Sequence, residues 1–162
     1  MARSWSLQQL TELGRVRLSR SFFMRDMLHS EIAQVHGLLN APDDPELAIR
    51  AGTRLCEELL EPLQERWGRL AIRSAYRSRE VNALGNALQK AGKAGYNCAS
   101  NEKNAAHHIW DMLDKDGHMG ATACVVVPAP VSAASTIWRS IPASRAPCSS
   151  LPAPAASSSP AA

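Results

Sequence analysis

The chain has 162 residues, 45% of them hydrophobic, 20% charged and 5% aromatic, with a formal net charge of +3. No apolar run reaches the 18 residues of a spanning helix, which argues against membrane insertion. Residues 1–127 carry only +1 of the net charge, which gives no electrostatic footprint for nucleic acid.

The first twenty residues are basic but lack a continuous apolar segment before a small-residue cleavage site. No secretory signal is therefore read, and a cytoplasmic chain is expected. The four cysteines, Cys56, Cys98, Cys124 and Cys148, are widely spaced without a CxxC pair, so reduced thiols are expected. Residues 7–19 read as a short helix or an extended segment. From Ser21, a candidate cap, the apolar residues Phe22, Phe23, Met27, Leu28, Ile32 and Val35 recur at helical spacing. The turn formers Asn40-Ala-Pro-Asp-Asp-Pro45 end that element. Asp43 or Asp44 then caps a long helix over residues 45–67, with Pro45 in its first turn. Leu47, Ala51, Leu55, Leu59, Leu63 and Trp67 form its apolar stripe, Arg50, Arg54, Glu57, Glu58, Glu61 and Glu65 fill its other faces, and Pro62 is expected to bend it.

After Gly68, residues 70–76 read as a strand. Residues 79–91 read as a helix capped by Ser78, with Val81, Leu84 and Leu88 as its stripe. Residues 92–106 are small and polar and read as a long loop, a class of segment that often carries function. Residues 120–127 read as a buried β-branched strand ended by Pro128. Beyond it, 26 of 35 residues are Ala, Ser or Pro and none is acidic, so residues 128–162 are expected to be a disordered tail. The expected fold is α+β, with helices packed on a small, mostly antiparallel and incomplete sheet. Its divisions are an N-terminal extension (1–20), the domain (21–127) and the tail (128–162). An exposed edge beside Val125–Val127 is expected as an aggregation liability.

The chemistry concentrates in residues 107–118, where His107, His108, Asp111, Asp114, Asp116 and His118 lie close in sequence. Imidazole and carboxylate together suit Zn²⁺, and a solvated turn with capping aspartates explains the same residues without a metal. Asp111 is either a ligand or an acceptor that orients an imidazole. Cys124 is either a thiolate ligand or a small core residue. Arg77, leaving the first strand beside the polar loop, is placed either to pair with a carboxylate or to sit exposed at a strand edge.

The run Leu70-Ala-Ile-Arg-Ser-Ala-Tyr-Arg-Ser-Arg-Glu-Val-Asn82, after a helix with Leu59-Leu60-Glu61-Pro62-Leu63 and the Gly68 stop, resembles the zinc D-Ala-D-Ala peptidases. That family includes vancomycin-resistance dipeptidases, phage endolysin peptidases and the hedgehog-type fold, and the resemblance extends over residues 21–127. It implies a zinc cofactor, a peptidoglycan peptide as partner, and substrate binding by Arg77 with its neighbours Tyr76 and Ser78. It also implies a histidine ligand at the end of the loop, for which His108 is the nearest counterpart and His107 the alternative. Where the family places an aspartate in a G-x-A-x-D strand, this chain has Cys124, which leaves the second ligand among Asp111, Asp114, Asp116 and Cys124. The family draws its catalytic glutamate and third ligand from a later Trp-His segment. After Pro128 there is no Glu, Asp or His, and Trp138 is followed by Arg139, as in a shifted reading frame or a shortened homologue. The resemblance thus implies an impaired zinc peptidase acting at the cell wall, with a non-catalytic wall-peptide or protein-binding module as the alternative.

Overall fold

The computed structural model describes residues 4–127 and the backbone of residues 135–141. Helix α1 (Leu7–Arg15) starts at a capping box in which Ser6 and Gln9 satisfy each other's backbone N–H. The single helix expected from Ser21 is divided into α2 (Met24–Met27) and α3 (Glu31–His36). Ser30 supplies the break: it is extended, and its hydroxyl accepts the Ala33 N–H, so a second helix begins there.

The expected long helix is present, capped by Asp44 with Pro45 in its first turn. It comprises α4 (Pro45–Leu55), a π-helical turn (Cys56–Leu60) and α5 (Glu61–Trp67). Pro62 has no N–H to offer the preceding turn, and the ladder widens just before it. Gly68, at φ +82°, ends α5. Strand β1 (Ala71–Ser74) follows, then α6 (Arg79–Lys90) with Ser78 as its cap. The long loop contains the short helix α7 (Asn101–Asn104).

The fold is α+β. Strand β2 (Ala121–Val127) pairs antiparallel with β1 and with β3 (Ser135–Ile141), in the order β1-β2-β3. Strand β3 lies inside the stretch expected to be a disordered tail, and its Thr-Ile-Trp run has the β-branched and aromatic character that suits a pleated surface. Residues 128–134 and 142–162 lie outside the described residues. The expected open edge beside Val125–Val127 is also not found, because Val125 faces Ile137 and Val127 faces Ser135 across the ladder.

The core lies between this sheet and the helices. Ala121, Ala123, Val125 and Val127 point one way and meet Ala48, Ala51 and Leu55 of α4, together with Met24, Met27, Tyr76 and Trp110. Glycine at position 52 permits the close approach of α4 to Trp110, since a Cβ there would stand 2.7 Å from the indole Cζ3. Among the described residues, no helix is long and apolar enough to cross a membrane.

Candidate functional site

The segment that leaves β1 is anchored on three sides. Tyr76 N–H donates to Met27 O at 3.0 Å, Arg77 N–H to His108 O at 2.8 Å, and Ser78 N–H to Asn40 Oδ1 at 2.7 Å. The same Asn40 donates through Nδ2 to Leu28 O and Tyr76 O. One asparagine of the turn before α4 therefore pins the strand exit, and Arg77 is set beside the end of the polar loop.

Arg77 Nη1 lies 3.2 Å from Asn82 Oδ1 and 3.1 Å from Cys98 Sγ. Neither acceptor is a carboxylate. Asn82 is fully buried and is itself held by Asn104, Asn101 and Ala99 O. Along α6 the amides Asn82, Asn86 and Gln89 form one stripe that grips the loop: Asn86 Nδ2 donates to Cys98 O at 2.6 Å, and Cys98 N–H to Gln89 Oε1 at 2.7 Å.

His108 is half-buried, with Nδ1 2.7 Å from Ala75 O. A carbonyl only accepts, so Nδ1 carries the proton and Nε2 keeps its lone pair in the neutral ring. Burial, followed by the Arg77 charge, pushes its pKa down to about 4, which keeps the ring neutral near pH 7. His107 is exposed, and its carbonyl accepts the Thr122 N–H. Cys124 alternates away from the core-facing residues of β2. Burial pushes its thiol up to about 11, against the opposing pull of Arg77 and Arg73. Arg77 thus acts electrostatically on both His108 and Cys124.

The metal set expected from the sequence does not converge. Asp111 is buried, and both of its oxygens are engaged: Oδ2 by the N–H groups of Asp43 (2.8 Å) and Asp44 (3.4 Å), Oδ1 by the Tyr76 hydroxyl (3.1 Å). It is neither a ligand beside His108 nor the acceptor that orients its ring. Asp114 belongs to a separate turn, where Oδ1 accepts the N–H of His118 (2.8 Å) and of Asp116 (2.9 Å), holding its carboxyl below the usual range. Asp114, Asp116 and His118 offer ligand atoms within 4.8 Å of one another, and this group could hold a metal ion. Among the described residues, no other group of three such side chains does so.

Two of the expected substrate contacts are structural. Tyr76 is fully buried and packs edge-on against Trp110, and Ser78 caps α6 through the Val81 N–H. Arg77, of the three, is the charged one, and its Nε and Nη2 donors have no acceptor among the described residues. Sequence reading missed Asn40, Cys98 and Asn104. The i, i+4, i+7 spacing of Asn82, Asn86 and Gln89 is the signal that a polar partner covers that face of α6.

Compared with family models, curated proteins and solved structures, the chain matches none.

Proposed function

We propose that this chain is a peptide-recognition domain in which Arg77 takes the carboxylate of a D-Ala-containing wall peptide, with His108 beside it. The observation that carries this reading is the Arg77 N–H to His108 O bond of 2.8 Å, which joins the two residues at the strand exit. The guanidinium there has no carboxylate partner among the described residues and has donors to spare, the condition for pairing bidentately with an incoming carboxylate. The ligand class comes from the resemblance of the 70–82 segment to zinc D-Ala-D-Ala peptidases.

Zinc fits His108 on one count and fails on another. A ligating histidine usually donates its second ring N–H to a carbonyl or carboxylate, as Nδ1 does here to Ala75 O. Among the described residues, however, no carboxylate is free beside it, and a catalytic zinc needs three protein ligands. No hydrolytic step is therefore derived at His108, and recognition is favoured over turnover. A second reading follows from the Asp114, Asp116 and His118 group, whose mixed nitrogen and oxygen donors suit zinc.

Calorimetric titration with N-acetyl-D-Ala-D-Ala and its C-terminal amide tests the recognition reading. The parent should prefer the free acid, and Arg77→Ala should abolish the preference. An Arg77→Ala protein that still prefers the acid, or a parent that binds neither peptide, overturns it. Zinc-dependent release of D-Ala would restore the peptidase reading.

A further inference from the structure

We infer that Asn82 is the positioning residue of this site, keeping the Arg77 guanidinium aimed and un-neutralised so that it can take an anionic ligand. This rests on the reading of Arg77 as the carboxylate-binding group. Asn82 is fully buried, and all four hydrogen-bonding positions of its amide are occupied. Oδ1 accepts from Arg77 Nη1 (3.2 Å) and Asn104 Nδ2 (2.8 Å), while Nδ2 donates to Asn101 Oδ1 (2.8 Å) and Ala99 O (3.0 Å). An amide so fixed cannot turn, and its oxygen presents a fixed acceptor to Nη1.

Charge is the second half of the argument. A partly buried arginine is ordinarily matched by a carboxylate. Among the described residues no Asp or Glu pairs with Arg77, and its side-chain acceptors are an amide oxygen and a thiol. Asn82 thus does what an aspartate in its place could not. It orients the guanidinium while leaving the positive charge for a ligand. It also links Arg77 to α7, because Asn101 and Asn104 meet the same amide.

The test uses the full chain as parent, Asn82→Asp and Asn82→Ser, each titrated with N-acetyl-D-Ala-D-Ala and with its C-terminal amide. A charge-assisted pair should give the parent a preference of about tenfold or more for the acid. Asn82→Asp supplies an internal carboxylate to Arg77, so the preference should collapse toward one, the acid losing far more affinity than the amide. A merely structural role would weaken both peptides alike, and that result overturns the inference, as does an Asn82→Asp protein with the parent's preference. If Asn82→Asp fails to fold by circular dichroism, Asn82→Ser decides. It removes the Oδ1 contact without adding charge and should lower the preference, and an unchanged preference overturns the inference. Arg77→Ala separates the two levels. Should it keep the acid preference, the reading of Arg77 fails; should it lose the preference while Asn82→Asp keeps it, only the role of Asn82 fails.

Discussion

The Tyr76 hydroxyl donates to Asp111 Oδ1 at 3.1 Å inside the core, while Oδ2 of the same carboxylate receives the Asp43 and Asp44 N–H groups. Asp111 therefore ties the strand exit to the start of α4. Burial first, and then the Asp111 charge, raise the Tyr76 pKa, so the phenol stays a donor.

Replacing Asp111 by Ala takes the acceptor from the buried Tyr76 hydroxyl and from the part-buried Asp43 N–H, a change that costs about 1–3 kcal/mol for the buried group. Thermal unfolding should show a clear fall in Tm. Tyr76→Phe should be milder, because Asp111 keeps both backbone donors. A Tm for Asp111→Ala equal to that of the parent would show that the carboxylate holds nothing together.

His108 gives the stability a defined pH dependence. The unfolded imidazole titrates near 6.5 and the folded one at about 4, so between these values the unfolded chain binds the extra proton. Stability is unaffected by this group above about 6.5 and is lost as pH falls toward 4, by roughly 3 kcal/mol in all. Urea denaturation at stepped pH should show the loss in the parent and a flatter profile in His108→Gln. Glu61 adds a separate loss at lower pH. Burial raises its pKa, but hydrogen bonds from Ser19 and Ser21 outweigh burial and hold it below the usual range.

The readable parts of this chain were those set by local rules. The cap at Asp43 or Asp44 with Pro45, the Ser78 cap and the β-branched run 120–127 each declare their element through backbone chemistry, and the structure has all three, with Asp44 as the cap and the strand over Ala121–Val127. Glu61 shows where such rules stop. Its place among other charged residues suggests a solvated helix face, yet it is buried, because the Ser19–Ser21 segment folds over it from forty residues away. The site divides along the same line. Arg77 next to a strand end and a polar loop was legible, but the partners of Asp111 come from residues 43, 44 and 76, and no sequence spacing encodes that meeting.

The Asp114, Asp116 and His118 turn makes a prediction about metal. Zinc should bind weakly, since the group is exposed or half-exposed, and it needs the neutral His118 ring because imidazolium cannot ligate. His118→Ala and Asp116→Ala should each remove it in a competition assay with a chromogenic chelator. Asp111→Asn and Cys124→Ser should leave it intact. Zinc affinity that survives His118→Ala but vanishes in His108→Ala would move the metal to the strand exit.

Gly85 connects the packing of α6 to the state of Arg77. A Cβ at this position would stand 2.6 Å from Cys98 Sγ and 3.0 Å from Ile32 Cδ1. The thiol has little room to retreat, because the Cys98 backbone is held at its N–H by Gln89 and at its carbonyl by Asn86, and Arg77 Nη1 is already 3.1 Å from the sulfur. Gly85→Ala should therefore destabilise the protein by about 1–3 kcal/mol through overpacking and also weaken binding of N-acetyl-D-Ala-D-Ala. Gly14→Ala is the control: it is helical in α1, and its Cβ would meet only Arg25 Cβ, at an ordinary 3.4 Å. There the substitution should raise stability by about 0.4–1 kcal/mol by restricting the unfolded chain, with binding unchanged. A Gly85→Ala protein as stable as the parent would mean that the loop around Cys98 yields, and that Arg77 is not held through it.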